Sequence, residues 1–373
     1  MGIARTTQQK ADAGYMSRAI HLAARASGRT APNPMVGCVL VKDGKIVGEG
    51  WHEGPGLDHA EVMALKAAGP EAAGSTAYVT LEPCNHTGRT GPCAEALIAA
   101  KVAEVVYAIA DPNPLASGGA DRLRAAGVAV RNGAEQYAAE KLNKAWLHAQ
   151  KTGRPFVVAK SAMSLDGRIA TSGGESQWIT SPESRAAGHL LRADADAILV
   201  GAETVLADDP ALTVRLNSET RHPLRVVLDS TARTPAGAKV YERAGAGALL
   251  ATTSAAPPAR LAAFREMGVD IAVLPSNEAN RVDPHAVLEA LFQRDVRHLL
   301  IEGGGAVLGA FFDADLIDEA HLFIAPVLIG GGKPAFGGNG VAALADTARF
   351  NFSPGRRTGR DQHWIGRRPK EDR

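Results

Sequence analysis

The chain alternates short apolar strands with helices, stops, and then begins the alternation again; this break constrains its fold more than any other feature. The first series runs from the helix YMSRAIHLAARASG, closed by Gly28, to the helix QYAAEKLNKAWLHAQ, which ends at KTGRP. Between them lie a hairpin in MVGCVLVKDGKIVGEGWH turning at Asp43-Gly44, a helix in HAEVMALKAAG and a strand in STAYVTLEPC. A helix in PCAEALIAAK, a strand in AEVVYAIADPNP and a helix and strand in DRLRAAGVAV complete it. After Pro155 the strands FVVAKSAMSLDGRIA, ADAILVG, LRVVLDS, GALLATT, DIAVLP and VRHLLIEGGG follow one another with helices or loops between. Elements of this length in this order predict an α/β protein with a three-layer sheet in the first half. The 373 residues exceed one ordinary domain, so the cut falls near 150–155, giving domains 1–150 and 155–373.

Charge and composition remove several function classes. A net charge of +1 provides no footprint for nucleic acid or an anionic membrane, and no apolar run reaches the roughly 20 residues that span a bilayer. The N-terminus has no apolar signal stretch. Gly2 and Thr6 fit the short myristoylation pattern, which chance supplies often. Three cysteines build no disulfide framework, which points to a reducing cytoplasm.

Two of those cysteines carry chemistry. His59-Ala60-Glu61 at a helix start is followed by Pro83-Cys84 and then Cys93. One imidazole and two thiolates are a zinc set that leaves the fourth position for water. Both cysteines adjoin a helix start, where the macrodipole favours thiolate. Glu61, two residues from His59, points elsewhere on a helix, so His59 holds the metal while Glu61 moves protons. H-x-E followed by P-C-x-x-C marks the zinc-dependent nucleobase deaminases. Here eight residues, not two, separate the cysteines, and the turn-rich NHTGRTGP between them still lets both sulfurs reach one ion. His86 within it is expected to line the pocket, and Cys38, in an apolar strand, to be a core residue.

With those residues in view, PNPMVGCVLV, GWHEGPGLDHAEVMAL and TLEPCNHTGRTGPC resemble the pyrimidine deaminase domain of the bifunctional riboflavin-biosynthesis deaminase/reductase family. The widened cysteine spacing with its enclosed histidine is characteristic of that branch. The resemblance implies a cytidine-deaminase-like α/β/α fold, substrate contacts from Asn33 and His52, and a completing DPNP at 111–114. LASGGADRL is slightly shorter than the usual family version and Gly91 replaces a frequent proline; neither touches a ligand.

The second half has no G-x-G-x-x-G after its first strand, so a Rossmann fingerprint is absent. HLLIEGGGAVLGAFF places three glycines between a strand and a helix, which suits a phosphate and equally a tight turn. APVLIGGGKPAF reads the same way. AMSLDGRIA, SQWITS and LLRADADAILVGAETVLADDPALTVR resemble the reductase domain of the same family, over most of 155–340. The resemblance implies a dihydrofolate-reductase-like fold that uses NADPH. It carries Ser176, Arg192, Leu212, Arg215 and Glu302 over as substrate contacts, the two guanidiniums suiting a ribose phosphate. It carries Ala162, Trp178, Thr204, Asp208, Ser230, Gly304 and Gly305 over as cofactor contacts, with Lys160 and Asp208 as candidates for proton delivery.

The expectation is thus a cytoplasmic, homo-oligomeric enzyme using zinc and NADPH. It deaminates 2,5-diamino-6-(5-phosphoribosylamino)pyrimidin-4(3H)-one and reduces the ribosyl group of the resulting uracil to ribityl. Its partners are small pyrimidine ribose phosphates, with neither nucleic acid nor membrane. A nucleic-acid editing deaminase shares the zinc chemistry but demands a basic strand-binding surface and explains no reductase half. A half-active protein whose second domain only binds nucleotide is the other alternative.

Overall fold

The computed structural model describes residues 6–87, 91–216, 221–242 and 247–369, so Gly2 of the myristoylation pattern and part of the Cys84–Cys93 loop lie outside the described residues. The chain forms two compact units, Met1–Gly153 and Arg154–Arg373.

The first unit comprises α1 (Thr7–Ala24), β1 (Gly37–Lys42), β2 (Lys45–Trp51), α2 (Ala60–Ala68), β3 (Thr76–Leu81), α3 (Cys93–Ala99), β4 (Glu104–Ile109), α4 (Gly119–Ala125), β5 (Ala129–Asn132), α5 (Gln136–Leu142) and α6 (Lys144–Thr152). The sheet order is β2-β1-β3-β4-β5, antiparallel as far as β3 and parallel beyond. The β1–β2 turn holds Asp43 at φ 49° and Gly44 at φ 73°, the left-handed pair that a two-residue hairpin needs. Two apolar layers sandwich the sheet. Ala64, Leu97 and Leu123 pack on one face from α2, α3 and α4; Met16, Leu22, Ala139 and Trp146 pack on the other from α1, α5 and α6.

Two elements differ from expectation. Helix α1 begins eight residues before Tyr15, because Thr6 and Gln9 form a reciprocal capping box, Gln9 N–H donating to Thr6 Oγ1 at 3.2 Å and Thr6 N–H to Gln9 Oε1 at 2.9 Å. The helix expected over 136–150 is two helices broken at Asn143. The Asn143 amide pairs with both main-chain groups of Met35, at 2.8 Å each, a long-range tie that outweighs local helix continuity.

Helix α2 lies directly on β2. A side chain at Gly48 would collide with the Ala64 carbonyl, and one at Gly50 with the Ala60 carbonyl. Backbone therefore meets backbone where His59 and Glu61 enter the helix.

The second unit comprises β6 (Phe156–Ser164), β7 (Arg168–Ala170), α7 (Pro182–Asp194), β8 (Ala197–Gly201), α8 (Ala202–Asp208), β9 (Leu224–Leu228), β10 (Ala248–Thr252), α9 (Pro258–Glu266), β11 (Asp270–Val273), α10 (Pro284–Phe292), β12 (His298–Ile301), α11 (Gly305–Asp313), β13 (Glu319–Ala325), β14 (Lys333–Pro334), β15 (Asn351–Phe352), β16 (Arg356–Thr358) and β17 (Asp361–Arg367). The main sheet runs β11-β10-β9-β8-β12-β6-β13-β17-β15, with β16 on β17. Its strands are parallel from β11 to β13 and antiparallel beyond. Continuous apolar runs such as AILVG suit a parallel sheet covered on both faces. Val157 and Ala159 of β6 face the core built with Leu288 and Leu291 of α10 and Leu308 and Phe311 of α11. By strand alternation Lys160 and Ala162 take the opposite face, toward α7, where a Cβ on Gly188 would stand 3.7 Å from Lys160 Cε.

Candidate functional site

In the first unit, His59 is the N-cap of α2, held extended at ψ 159°, so its imidazole leaves the helix axis while Glu61 sits in the first turn. Cys93 opens α3, and Cys84 lies in the segment after β3, not at a helix start as expected. Cys84 still gains from that helix end, because the Cys93 N–H donates to its Sγ at 3.4 Å. His59 Nδ1 stands 3.1 Å from Cys93 Sγ and 3.6 Å from Cys84 Sγ. The three candidate ligand atoms lie within 4.8 Å of one another. Tetrahedral ligands at about 2.0–2.3 Å from one ion are about 3.5 Å apart, so the donors fit zinc in both chemistry and spacing.

The Cys84 thiol is held well below its ordinary value, first by the Cys93 hydrogen bond and then by His59, against the effect of burial. The same Cys84 bond and then burial push Cys93 up, so both sulfurs and the imidazole compete for protons that a metal ion replaces. Glu61 is buried at 3% exposure. Burial, followed by the Cys84 charge, pushes its carboxyl up to about 7. A nearby divalent ion draws it down again. A carboxylate so placed can accept a proton from water and pass it to a leaving amine.

Asn33 and His52 meet beside this centre: Asn33 Nδ2 lies 3.0 Å from His52 Nε2, and His52 Nδ1 lies 3.1 Å from the Asp58 carbonyl. That carbonyl can only accept, so His52 donates from Nδ1 and its Nε2 accepts from Asn33. Burial lowers the His52 pKa, which keeps the ring neutral. His52 also meets His59 edge-on, with centroids 5.5 Å apart. His86, expected to line a pocket, is exposed, and Cys38 is fully buried in β1. Sequence reasoning missed Glu82. Its buried carboxylate accepts main-chain N–H groups of Asp111 (3.3 Å), Gly118 (3.2 Å) and Ala120 (3.0 Å), docking the Cys84 segment on the loop that carries DPNP. The signal was an acidic residue inside an apolar strand end, TLEPC.

In the second unit a cleft of about 1210 Å³ opens beside β6, α7, α8 and the turn before α11. Lys160, Ala162, Ser176, Trp178, Arg192, Thr204, Asp208, Leu212, Arg215, Glu302, Gly304 and Gly305 all line it. Ser230 does not: its hydroxyl accepts the Val282 N–H at 3.1 Å, and its carbonyl takes the Thr252 and Thr253 hydroxyls. Arg185 and His189 also line the cleft without having been singled out. With Arg192 they recur at helical spacing on one face of α7, a pattern legible in PESRAAGHLLR.

Arg192 offers no open fork to a phosphate. Its Nε and Nη2 donate to Glu302 at 2.6 and 2.7 Å, and Nη1 to the Thr213 carbonyl at 3.0 Å. Burial pushes the Glu302 carboxyl up, but Arg192 and then Lys160 outweigh it and hold it below its ordinary value. Arg215, by contrast, is exposed at the cleft, and its guanidinium has no hydrogen bond or ion pair among the described residues. Asp208 Oδ1 accepts the Ser176 hydroxyl at 3.4 Å. Gly304 takes φ 71° before α11, and a side chain on Gly305 would strike the Pro334 carbonyl. The turn therefore needs its glycines for close packing whether or not a phosphate approaches.

Fold and site together define a zinc-dependent pyrimidine deaminase of the cytidine-deaminase fold joined to a dihydrofolate-reductase-like, NADPH-dependent reductase. Residues 9–109 match the cytidine and deoxycytidylate deaminase zinc-binding region, and residues 155–361 the RibD C-terminal domain. The riboflavin biosynthesis protein RibD of Escherichia coli is 43% identical over 373 residues, covering 95% of this chain and 99% of that protein. RibD of Mycobacterium tuberculosis is 43% identical, covering 93% and 94%. Acinetobacter baumannii RibD superposes with a TM-score of 0.87 at 39% identity, over 97% of this chain and all of that one. A Thermotoga maritima diaminohydroxyphosphoribosylaminopyrimidine deaminase/5-amino-6-(5-phosphoribosylamino)uracil reductase gives 0.86 at 33% identity, covering 97% and 100%. The chain belongs to the RibD family and is a bifunctional deaminase/reductase of riboflavin biosynthesis.

Proposed function

We propose that residues 1–150 deaminate 2,5-diamino-6-(5-phosphoribosylamino)pyrimidin-4(3H)-one and that residues 155–373 reduce the ribosyl group of 5-amino-6-(5-phosphoribosylamino)uracil to ribityl. The observation that carries the reading is the convergence of His59, Cys84 and Cys93 beside buried Glu61, on a chain whose other unit holds a cleft of about 1210 Å³.

His59, Cys84 and Cys93 hold the zinc, which when bound supplies Lewis-acid activation of water. Glu61 takes a proton from that water and delivers it to the departing amine, so ammonia leaves and the ring gains a carbonyl. Asn33 and His52 orient the pyrimidine; the His52 Nδ1–H bond to Asp58 fixes the tautomer that faces it. In the second unit the cleft would hold NADPH, which when bound would supply hydride for reduction of the ribosyl C1′ in its open imine form. The Lys160 ammonium lines the cleft near the Glu302 carboxylate and has no side-chain hydrogen bond or ion pair among the described residues, which suits proton delivery to the imine nitrogen. Asp208 holds Ser176, and the Arg192–Glu302 pair fixes the cleft wall. Arg215, without a side-chain partner among the described residues, offers its guanidinium to the substrate, while Ala162, Trp178, Thr204, Gly304 and Gly305 border the cofactor.

A cytoplasmic homo-oligomer belongs to the same reading. Among the described residues no helix is long and apolar enough to cross a membrane, and Leu165 and Leu328 are 66% and 74% exposed. Light scattering on the purified chain tests the assembly.

The experiment follows ammonia release and NADPH loss together on the diaminopyrimidine phosphate. Ammonia without NADPH, then NADPH oxidation on its addition, is the expected course. Glu61→Gln should stop the first and leave reduction of supplied uracil substrate intact. Loss of both activities in a folded Glu61→Gln protein refutes the separation of the sites.

A further inference from the structure

Beside the reductase cleft lies a second chamber of about 470 Å³, an open pocket bordered by the start of α7 and the β16–β17 turn. Its lining includes Arg185, Arg357 and Arg360, with Trp178 and the single carboxylate Glu183. Each arginine is tethered by one nitrogen to a main-chain carbonyl: Arg185 Nη1 to Thr180 at 3.0 Å, Arg357 Nε to Gly359 at 3.2 Å, and Arg360 Nη2 to Ile179 at 3.3 Å. A guanidinium has five N–H donors, so each keeps most of its fork open while its position is set.

Carboxylates do not satisfy these cations. Elsewhere in the unit Arg154, Arg192, Arg233 and Arg367 each meet a carboxylate at 2.6–2.9 Å. Here, among the described residues, Glu183 makes no ion pair, and the one carboxylate contact to these arginines is Arg360 Nε to Asp361 Oδ1 at 3.9 Å. Asp361 is committed inward: its Oδ2 accepts the Ser181 N–H at 2.7 Å and the Ser184 hydroxyl at 2.6 Å. That carboxylate and the Ser181 cap already occupy the N-terminus of α7. The attraction for an anion therefore comes from the arginines and not from the helix end. Trp178, 64% exposed, lies under the Arg185 guanidinium with 4.5 Å to its ring centroid, and both residues line the cleft as well as the chamber. A ligand in one space can reach the other past this pair.

We propose that the chamber is a phosphate-monoester site, in which the arginine forks hold the phosphate oxygens and Trp178 offers a flat face to the group that carries them. The phosphate has three possible sources: the 2′-phosphate of NADPH, the ribose phosphate of the pyrimidine substrate, or a separate phosphorylated ligand. Naming the first two rests on the reductase reading above; the chamber itself does not.

The test compares the full chain with Arg357→Gln/Arg360→Gln, titrated with NADPH, NADH, the phosphoribosylaminouracil and inorganic phosphate. Affinity for the phosphate-bearing ligand should fall about tenfold for each arginine removed. Weaker NADPH binding with unchanged NADH binding assigns the 2′-phosphate. A raised KM for the uracil substrate with unchanged NADPH affinity assigns the ribose phosphate. Loss of inorganic phosphate binding alone assigns a separate ligand. If all four ligands bind both proteins alike, the proposal is overturned. Unchanged ammonia release and melting temperature verify folding, and Arg357→Gln alone, which gives up one bond within its own turn, serves if the double variant is unstable. Failure of the reductase reading looks different, because wild-type protein would then oxidise no NADPH.

Discussion

Replacing Arg192 with methionine isolates what the buried ion pair does for the second unit. The side chains of Arg192 and Glu302 are only 15% and 6% exposed, and they meet through two parallel bonds. Removing the guanidinium leaves the carboxylate buried with Lys160 as the remaining nearby cation. Breaking a buried pair from one side costs about 3–5 kcal/mol. For a unit of this size that corresponds to a loss of about 6–20 °C in melting temperature. The pH dependence carries the sharper signature. In the wild type the Glu302 pKa is depressed, so its contribution is present above the unfolded carboxylate pKa and lost as pH falls through the folded one. In Arg192→Met burial dominates and the pKa rises instead. The carboxylate then destabilises the fold at neutral pH, and protonation relieves it as pH falls. Urea unfolding of both proteins between pH 7.5 and 5.5, read through the second unit's activity and circular dichroism, should show the deficit narrowing on acidification. A deficit that is constant or widens would refute the argument, as would a loss below about 1 kcal/mol. Replacing both partners, Arg192→Met with Glu302→Leu, should recover most of the stability but not the reductase activity.

Chelating the metal should stop ammonia release, leave NADPH oxidation on supplied uracil substrate unchanged, and be reversed by added zinc. Gly305→Ala should cost about 1–3 kcal/mol and weaken NADPH binding, because its methyl meets the Pro334 carbonyl, which cannot swing aside; calorimetry and cofactor titration check both. Burial lowers the His363 pKa to about 4, the neighbouring His321 adding to it, so the unfolded chain binds the proton first. Stability of the second unit should therefore fall as pH drops from about 6.5 toward 4. His363→Gln, which keeps a partner for His321, should flatten that slope in acid-unfolding curves.

What could be read in the sequence was what short range determines. Asp43-Gly44 announced its hairpin, and the order His59, Cys84, Cys93 announced three candidate ligands that the fold brings within 4.8 Å, because ligand chemistry limits the residue types. The capping box at Thr6 and Gln9 was equally local, yet the polar residues after it concealed a helix start. Asn143 could not be read, since its partner Met35 lies 108 positions away. Nor could the commitment of the Arg192 fork, which depends on a carboxylate 110 residues later. The strands from β15 to β17 were overlooked because FNFSPGRRTGRDQHWIGRR is polar and arginine-rich, and only pairing with β13 and its own hairpin makes it sheet.

The bare main chain of Gly48 and Gly50 lies directly under α2, at the end of the helix that carries His59 and Glu61. At these two positions no side chain spaces helix from strand, so main-chain contact sets where His59 and Glu61 stand, and residues of the apolar layer that lie off α2, such as Leu97 and Leu123, have little lever on them. A library that randomises those residues should yield proteins of varied stability with a nearly constant deamination rate per bound zinc. At the two glycines the opposite holds, and even a methyl group trades directly against catalysis.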